Sequence, residues 1–328
     1  VSDAIVPARR GHVPVMPAAC LRELAVGPGQ IVCDCTAGGG GHLERFAAAV
    51  GEGGRVIALD RDDRAFRDDA AGGVARRFPQ VTLLRHPFSE LPLVLAAQGL
   101  AKVDAVFADL GVSSFQLDEG ERGFSFQQDA PLDMRMDRSR GETAAELIAR
   151  LDDDELADLI YLYGEERQSR RIARSLKRHA PQTTAQLKDA VVAAVGPARG
   201  RIHPATKTFQ ALRIAVNGEL DELKALLQAL PGVLKQGGRA GFLTFHSLED
   251  RLVKHAFKAA GFHPTTKKPL TADDAEVDEN PRSRSARLRV AVHDPTRPAG
   301  KQPRYRKDDD DDTDDTDDTD DRGAEDAR

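Results

Sequence analysis

Three acids at the ends of short apolar runs, Asp34, Asp60 and Asp109, and the glycines Gly38 to Gly41 are the residues of this chain best suited to chemistry. Cys33-Asp34-Cys35-Thr36-Ala37-Gly38-Gly39-Gly40-Gly41-His42 passes from an apolar run ending in an acid straight into four glycines. A turn without Cβ atoms lets backbone N–H groups approach a ligand closely at a helix N-terminus. Nineteen residues past Gly41, Arg55-Val56-Ile57-Ala58-Leu59 ends in Asp60, where an acid can take the two hydroxyls of a ribose. Val106-Phe107-Ala108 ends in Asp109 and continues Leu110-Gly111-Val112-Ser113-Ser114. Ligands of open α/β sheets bind outside the carboxyl ends of the strands, so these acids should face one crevice.

The glycine spacing narrows the cofactor. A dinucleotide fingerprint, G-x-G-x-x-G, needs a third glycine where this chain has Leu43 or Glu44, depending on register. A nucleoside without a pyrophosphate needs the close turn and the ribose acid but not that glycine, and S-adenosylmethionine is such a ligand. Asp109 then has a reading of its own. The lone pair of an exocyclic amine such as cytosine N4 is delocalised into the ring, so the amine attacks a methyl group only once an acceptor holds its hydrogens. The leaving group of a sulfonium is neutral, so placement and acceptor geometry supply most of the acceleration. DNA amino-methyltransferases often show Asp-Pro-Pro-aromatic here, whereas this chain has Asp109-Leu110-Gly111-Val112; Phe124 or Phe126 could supply the missing ring, and either could equally be core.

The elements that must position these residues follow from the pattern. Gln30 to Cys35, Arg55 to Leu59, Val81 to Arg85 and Val103 to Ala108 read as strands, with helices starting near His42, Asp62 and Ser89. That alternation predicts an α/β fold, a parallel sheet with helices on both faces. The next strand, Arg239 to Phe245, starts 130 residues after Asp109, far more than one crossover needs. Within the gap Glu142 to Leu162, Gln168 to His179, Thr184 to Val195 and Thr206 to Leu230 read as helices, an all-α insertion. A helix from Leu248 to Ala260 and a strand from Ala286 to Val292 complete the sheet, and Ser247 has N-cap character.

Charge divides the chain. The net charge of −6 hides a tail, residues 308 to 328, with thirteen acids and two arginines, which leaves +5 on residues 1 to 307. Such a tail has too little apolar surface to order itself. Between Glu165 and Arg213 there are eleven Lys or Arg against three acids, the footprint of a phosphate backbone or a solvated helical face. Cys20, Cys33 and Cys35 are too few for a disulfide framework and read as small buried hydrophobes; no Cys/His cluster has zinc spacing, so no metal is expected. No apolar run approaches the roughly 18 residues of a membrane span, which predicts a cytoplasmic protein.

Longer segments carry a resemblance. His12-Val13-Pro14-Val15, Asp34 to His42, Asp109 to Asp118, Arg122-Gly123-Phe124-Ser125-Phe126, Pro131 to Asp137, Tyr163-Gly164-Glu165-Glu166-Arg167, His203 to Gln210, Phe245 to Arg251 and Asn280 to Ser285 together resemble the RsmH/MraW family of small-subunit ribosomal RNA cytosine-N4 methyltransferases. The resemblance implies a class I methyltransferase (Rossmann-like) sheet, residues 1–114 and 216–296, with a helical RNA-recognition domain, 115–215, inserted after the fourth strand. Residues 297–328 remain as linker and disordered acidic tail. It implies S-adenosyl-L-methionine as cofactor, with Gly40, Gly41 and His42 at the methionine end, Asp60 at the ribose, Phe88 at the adenine, and Asp109 and Gln116 in the inner crevice. It implies 16S ribosomal RNA, within the small subunit, as partner. Asp109 is the leading catalytic candidate and His246 the second. Arg135, Arg167, Arg170, Arg171, Arg174, Lys207 and Arg213 are the candidate phosphate contacts. Met134 and Met136 read as packing. The competing readings are an RNA-binding assembly factor that uses the cofactor structurally, and a nicotinamide oxidoreductase, against which Leu43 and Glu44 count.

Overall fold

The computed structural model describes residues 13–197, 203–259 and 261–298; the expected acidic tail lies outside them. Seven strands form one sheet: β1 (Ile31–Asp34), β2 (Arg55–Asp60), β3 (Val81–Arg85), β4 (Val103–Asp109), β5 (Leu234–Thr244), β6 (Phe262–Pro264) and β7 (Arg287–His293). Their order is β3-β2-β1-β4-β5-β7-β6. The first five are parallel, and β7 runs antiparallel between β5 and β6. The strand order reverses between β1 and β4, which opens the crevice at the carboxyl ends of those strands. This is the class I methyltransferase sheet that the resemblance implied.

Period-two alternation explains the two faces. Cys33, Ile57, Leu59, Val106 and Ala108 pack on one side with α4 (Leu91–Ala97), α11 (Glu219–Val233) and α12 (Ser247–Lys258). Val32, Val56, Ala58, Ala105 and Phe107 pack on the other with α1 (Pro17–Leu24), α2 (Gly41–Val50) and α3 (Ala71–Arg77). Strands covered on both faces are apolar throughout, as these are. All three cysteines are buried and unpaired, and burial pushes their thiols up, so they act as packing atoms.

The insertion has its own apolar cluster, from Phe124 and Met134 to Phe209 and Leu212. It begins after α5 (Ser114–Asp118) and contains α6 (Ala144–Arg150), α7 (Asp153–Gly164), α8 (Ser169–His179), α9 (Thr184–Val195) and α10 (Ala205–Asn217); α13 (Asp274–Glu279) lies beyond it, before β7. Two expected helices are each split. The run from Glu142 to Leu162 breaks at Asp152, whose side chain accepts the N–H of Glu155 while Glu155 accepts that of Asp152, a reciprocal cap that starts α7 afresh. The run from Thr206 to Leu230 breaks at Gly218, whose φ of +60° ends α10 and turns the chain onto the sheet as α11. The helix expected near Asp62 is only a short 3₁₀ turn over Asp63–Phe66 before α3.

Two of the ties that hold the insertion to the sheet centre on Arg122 and Glu165. Arg122, buried, sends Nη2 to Asp62 Oδ2 at 2.8 Å and to the carbonyl oxygens of Arg135 and Met136 at 3.1 and 3.0 Å. Glu165 accepts from Ser247 Oγ at 2.5 Å and from Arg251 Nη2 at 3.0 Å.

Candidate functional site

A cleft of about 550 Å³ opens at the strand tips, lined among others by Gly38 to His42, Asp60, Phe88, Asp109, Gln116 and Phe245. Gly40 is the N-cap of α2 with φ +83°, and a Cβ there would stand 2.7 Å from Val74 Cγ2. A Cβ on Gly41 would stand 3.0 Å from Pro14. These two glycines are therefore required from behind, by α3 and the N-terminal segment, which press the turn into shape and leave its front to a ligand.

Asp60 holds that turn. Its Oδ2 accepts the Gly38 N–H at 2.8 Å and its Oδ1 the Asp62 N–H at 2.8 Å, while burial pushes its carboxyl up to about 6. Gln116 sits behind it: its Oε1 accepts the Ser113 N–H at 2.9 Å and its Nε2 donates to Asp62 Oδ2 at 2.8 Å. The Asp62 carboxylate thus joins Gln116, Arg122 and the turn after Asp60 in one buried network. Sequence reasoning missed Asp62 and Arg122; the acid two residues past Asp60 and the Arg122-Gly123 motif were the only signals.

His42 and Asp109 form the floor, whereas Asp34, expected to face the crevice, is fully buried and does not line the cleft, although its carboxyl feels both of them. Asp109 takes its position from β4 and from its N–H, which donates to Thr36 Oγ1 at 2.7 Å; its Oδ2 lies 3.5 Å from His42 Nε2. The imidazole of His42 is held against Phe107, with centroids 4.7 Å apart. Among the described residues, Asp34 Oδ2, His42 Nε2 and Asp109 Oδ1 are buried and have no hydrogen-bond partner. A buried polar atom without a partner is costly, so the grouping of those on His42 and Asp109 beside a glycine turn fits a polar ligand that completes them. The amino and carboxylate groups of a methionine moiety have the required donors and acceptors.

The other expected residues fall into two groups. Phe88, the expected adenine neighbour, begins a 3₁₀ turn after β3 and borders the cleft. His246 is not on the cleft wall. Its Nδ1 caps α12 by accepting the Glu249 N–H, so the N-cap is His246 and Ser247 is the first helical residue. Its Nε2 lies 3.2 Å from Glu249 Oε1. Burial by itself would raise Glu249, but His246 and Arg213 outweigh it and hold the carboxyl below the usual range. Arg213 is a correction to the expected phosphate contacts: it is half-buried and bidentate to Glu219 at 2.9 and 2.8 Å, so its charge is taken up behind the cleft-lining Glu219. Glu219, His246 and Glu249 have the composition of a cation site, with ligand atoms within 4.8 Å, but Arg213 already neutralises Glu219 and the Phe245 N–H occupies Glu249 Oε2 at 2.9 Å.

Arg135 is also committed, bidentate to Asp133 at 2.7 and 3.0 Å. Arg167, Arg170, Arg171 and Arg174 are exposed at and along α8. Lys207 is exposed with its Nζ on the Glu165 carbonyl at 2.9 Å. Phe124 and Phe126 do not border the cleft: the first is in the insertion's core and the second packs against His203 and Phe209. Met134 is core, whereas Met136 reaches the cleft wall. The far wall unites the two ends of the described chain, where Asn280 Nδ2 donates to the Val13 carbonyl at 3.1 Å and the Met16 N–H donates to Glu276 Oε1.

Residues 9–293 match the model of the MraW methylase family. The ribosomal RNA small subunit methyltransferase H of Sorangium cellulosum is 53% identical over 293 residues, covering 87% of this chain and 92% of that protein. The protein of the same name from Acidobacterium capsulatum is 47% identical over 296 residues, covering 86% and 98%.

Proposed function

The chain belongs to the MraW methylase family, and on that premise we propose that it transfers one methyl group from S-adenosylmethionine to N4 of a cytidine in 16S ribosomal RNA, in the cytoplasm, on the small subunit. The observation that carries this reading is that buried atoms of His42 and Asp109, both lining the cleft beside the glycine turn, have no hydrogen-bond partner among the described residues. S-adenosylmethionine supplies an electrophilic methyl group whose departure leaves a neutral thioether.

The protein's own contribution is placement. The glycine turn leads into the N-terminus of α2, whose first-turn N–H groups are favourable for a carboxylate, while the Gly38 N–H is held by Asp60 and the Gly40 N–H by the Ala37 carbonyl. Asp60 and Phe88 flank the adenosine side. Asp109 accepts a hydrogen bond from the N4 amine, which localises the nitrogen lone pair toward the methyl group, and the proton released on transfer can leave through the same carboxylate. His42 Nε2 lies 3.5 Å from Asp109 Oδ2 without a hydrogen bond to it, so both groups stay open to a ligand. A cytosine must leave its stack to reach so enclosed a site. The insertion, with Arg167, Arg170, Arg171, Arg174 and Lys207 exposed, provides the cationic surface for the surrounding phosphates.

The test is transfer of labelled methyl from the cofactor to small subunits lacking the modification, with mass spectrometric mapping of the product nucleotide. Label on N4 of one cytidine is the expected result. Subunit binding without any transfer would replace this reading by that of an assembly factor.

A further inference from the structure

The acceptor side of the cleft is set by sheet order. Gly38 to Gly41, Asp60 and Phe88 follow β1, β2 and β3, Asp109 ends β4, and the next tip outward is that of β5. Asp109 is in register with Leu243, and the Leu110 N–H donates to the Leu243 carbonyl at 3.0 Å. Phe245, two residues past Leu243, therefore stands level with Gly111, two residues past Asp109. The contact is direct: a Cβ built on Gly111, whose φ is +95°, would lie 3.5 Å from Phe245 Cδ2.

We propose that Phe245 is the platform on which the acceptor base stacks, a specificity-determining residue supplied by β5 where the segment after Asp109 has no aromatic of its own. The proposal rests on the reading of an RNA base as acceptor. Phe245 is half-buried and borders the cleft. Its backbone is anchored, because its N–H donates to the buried Glu249 carboxylate, which is itself held beside His246. The other rings on the cleft wall have other neighbours. Phe115 lies under the Arg64 guanidinium, 4.2 Å from its centroid; Phe88 and Phe245 each pack in part against the sheet's core, but Phe88 does so at the β3 tip, on the far side of β1 from Asp109, and Phe245 beyond the end of β5, the strand next to Asp109. A flipped base needs an apolar face to replace its lost neighbours, and any base can stack on an aromatic ring. An exocyclic amine lies in the plane of its base, so a platform under the ring face leaves the amine edge free for the Asp109 carboxylate on the adjacent strand.

The experiment compares the full chain with Phe245→Leu, which keeps apolar packing, and Phe245→Tyr, which keeps the ring. Methyl transfer to unmodified small subunits is followed, with S-adenosylhomocysteine affinity as a check on fold and cofactor site. Phe245→Leu should raise the KM for the subunit by roughly ten- to a hundredfold, the range of one base–aromatic stack, with cofactor affinity unchanged, and Phe245→Tyr should restore it. Unchanged KM in Phe245→Leu, or equal impairment in Phe245→Tyr, would overturn the platform. A second readout is independent of turnover: a single-stranded RNA carrying the fluorescent analogue pyrrolocytidine should be quenched by the parent and by Phe245→Tyr but not by Phe245→Leu. A parent that quenches but transfers no methyl group overturns the functional reading alone, whereas quenching that survives in Phe245→Leu overturns the platform alone.

Discussion

Asp34→Asn tests the electrostatics beneath the cleft floor. Asp34 ends β1 with no exposed surface; its Oδ1 accepts the Thr36 N–H at 3.1 Å and its Oδ2 has no partner among the described residues. Burial pushes its carboxyl up from 3.8 to about 7, an effect only partly offset by His42 and the Thr36 N–H. In the folded chain Asp34 keeps its proton to about pH 7, whereas the unfolded chain releases it near pH 4. The stabilisation is therefore complete below about pH 4 and is lost as pH rises through about 7. The gap of about three pKa units corresponds to roughly 4 kcal/mol at 1.36 kcal/mol per unit. Asparagine keeps the acceptor for Thr36 and cannot ionise. The ligand-free variant should match the parent at pH 4 and exceed it by up to roughly 4 kcal/mol at pH 8, on the order of ten degrees in Tm. Denaturation from pH 4 to 8 by calorimetry and by urea measures the difference. A variant-minus-parent difference that fails to grow with pH would refute the assignment. A cation near the carboxylate lowers its pKa, so cofactor binding by the parent should strengthen from pH 6 to 8 with proton release, and Asp34→Asn should lose that dependence.

Asp109→Asn should lower kcat at least a hundredfold while S-adenosylhomocysteine affinity stays within a few-fold, measured by calorimetry beside single-turnover transfer. Gly40→Ala places a methyl group 2.7 Å from Val74 at φ +83°, and should cost about 1–3 kcal/mol together with cofactor affinity, read by thermal shift with and without ligand. Arg122→Met leaves the Asp62 carboxylate buried without its cation and should cost about 3–5 kcal/mol in urea unfolding, with the insertion becoming more sensitive to protease. Replacing Arg170, Arg171 and Arg174 by alanine should flatten the slope of log K against log salt for RNA by roughly 0.7–0.9 per lost phosphate contact, whereas Arg213→Ala should act on stability through Glu219.

Much of the fold is local in origin and legible in the chain. The apolar runs ending in Asp34, Asp60 and Asp109 are strands because residues buried on both faces must be apolar throughout, and the gap after Asp109 is an insertion because a single crossover is shorter. Helix breaks were less legible: Asp152 and Gly218 lie within helical periodicity and end helices through cap geometry that hydrophobic spacing does not encode.

The sequence by itself determined the sheet, the helical segment between its fourth and fifth strands, the glycine turn and the acids at the strand ends, of which Asp60 and Asp109 face the crevice and Asp34 does not, because strand ends and turns depend on neighbours in the chain. Only the tertiary structure decided which charges are free and which aromatic faces the acceptor. Arg213 is consumed by Glu219, Arg135 by Asp133 and His246 by the cap of α12, while α8 keeps its arginines outward. Phe245 comes beside Gly111 through the β4–β5 register, across more than a hundred residues of chain. A charge or a ring acquires its role from the groups that folding places against it, and those lie far away in sequence.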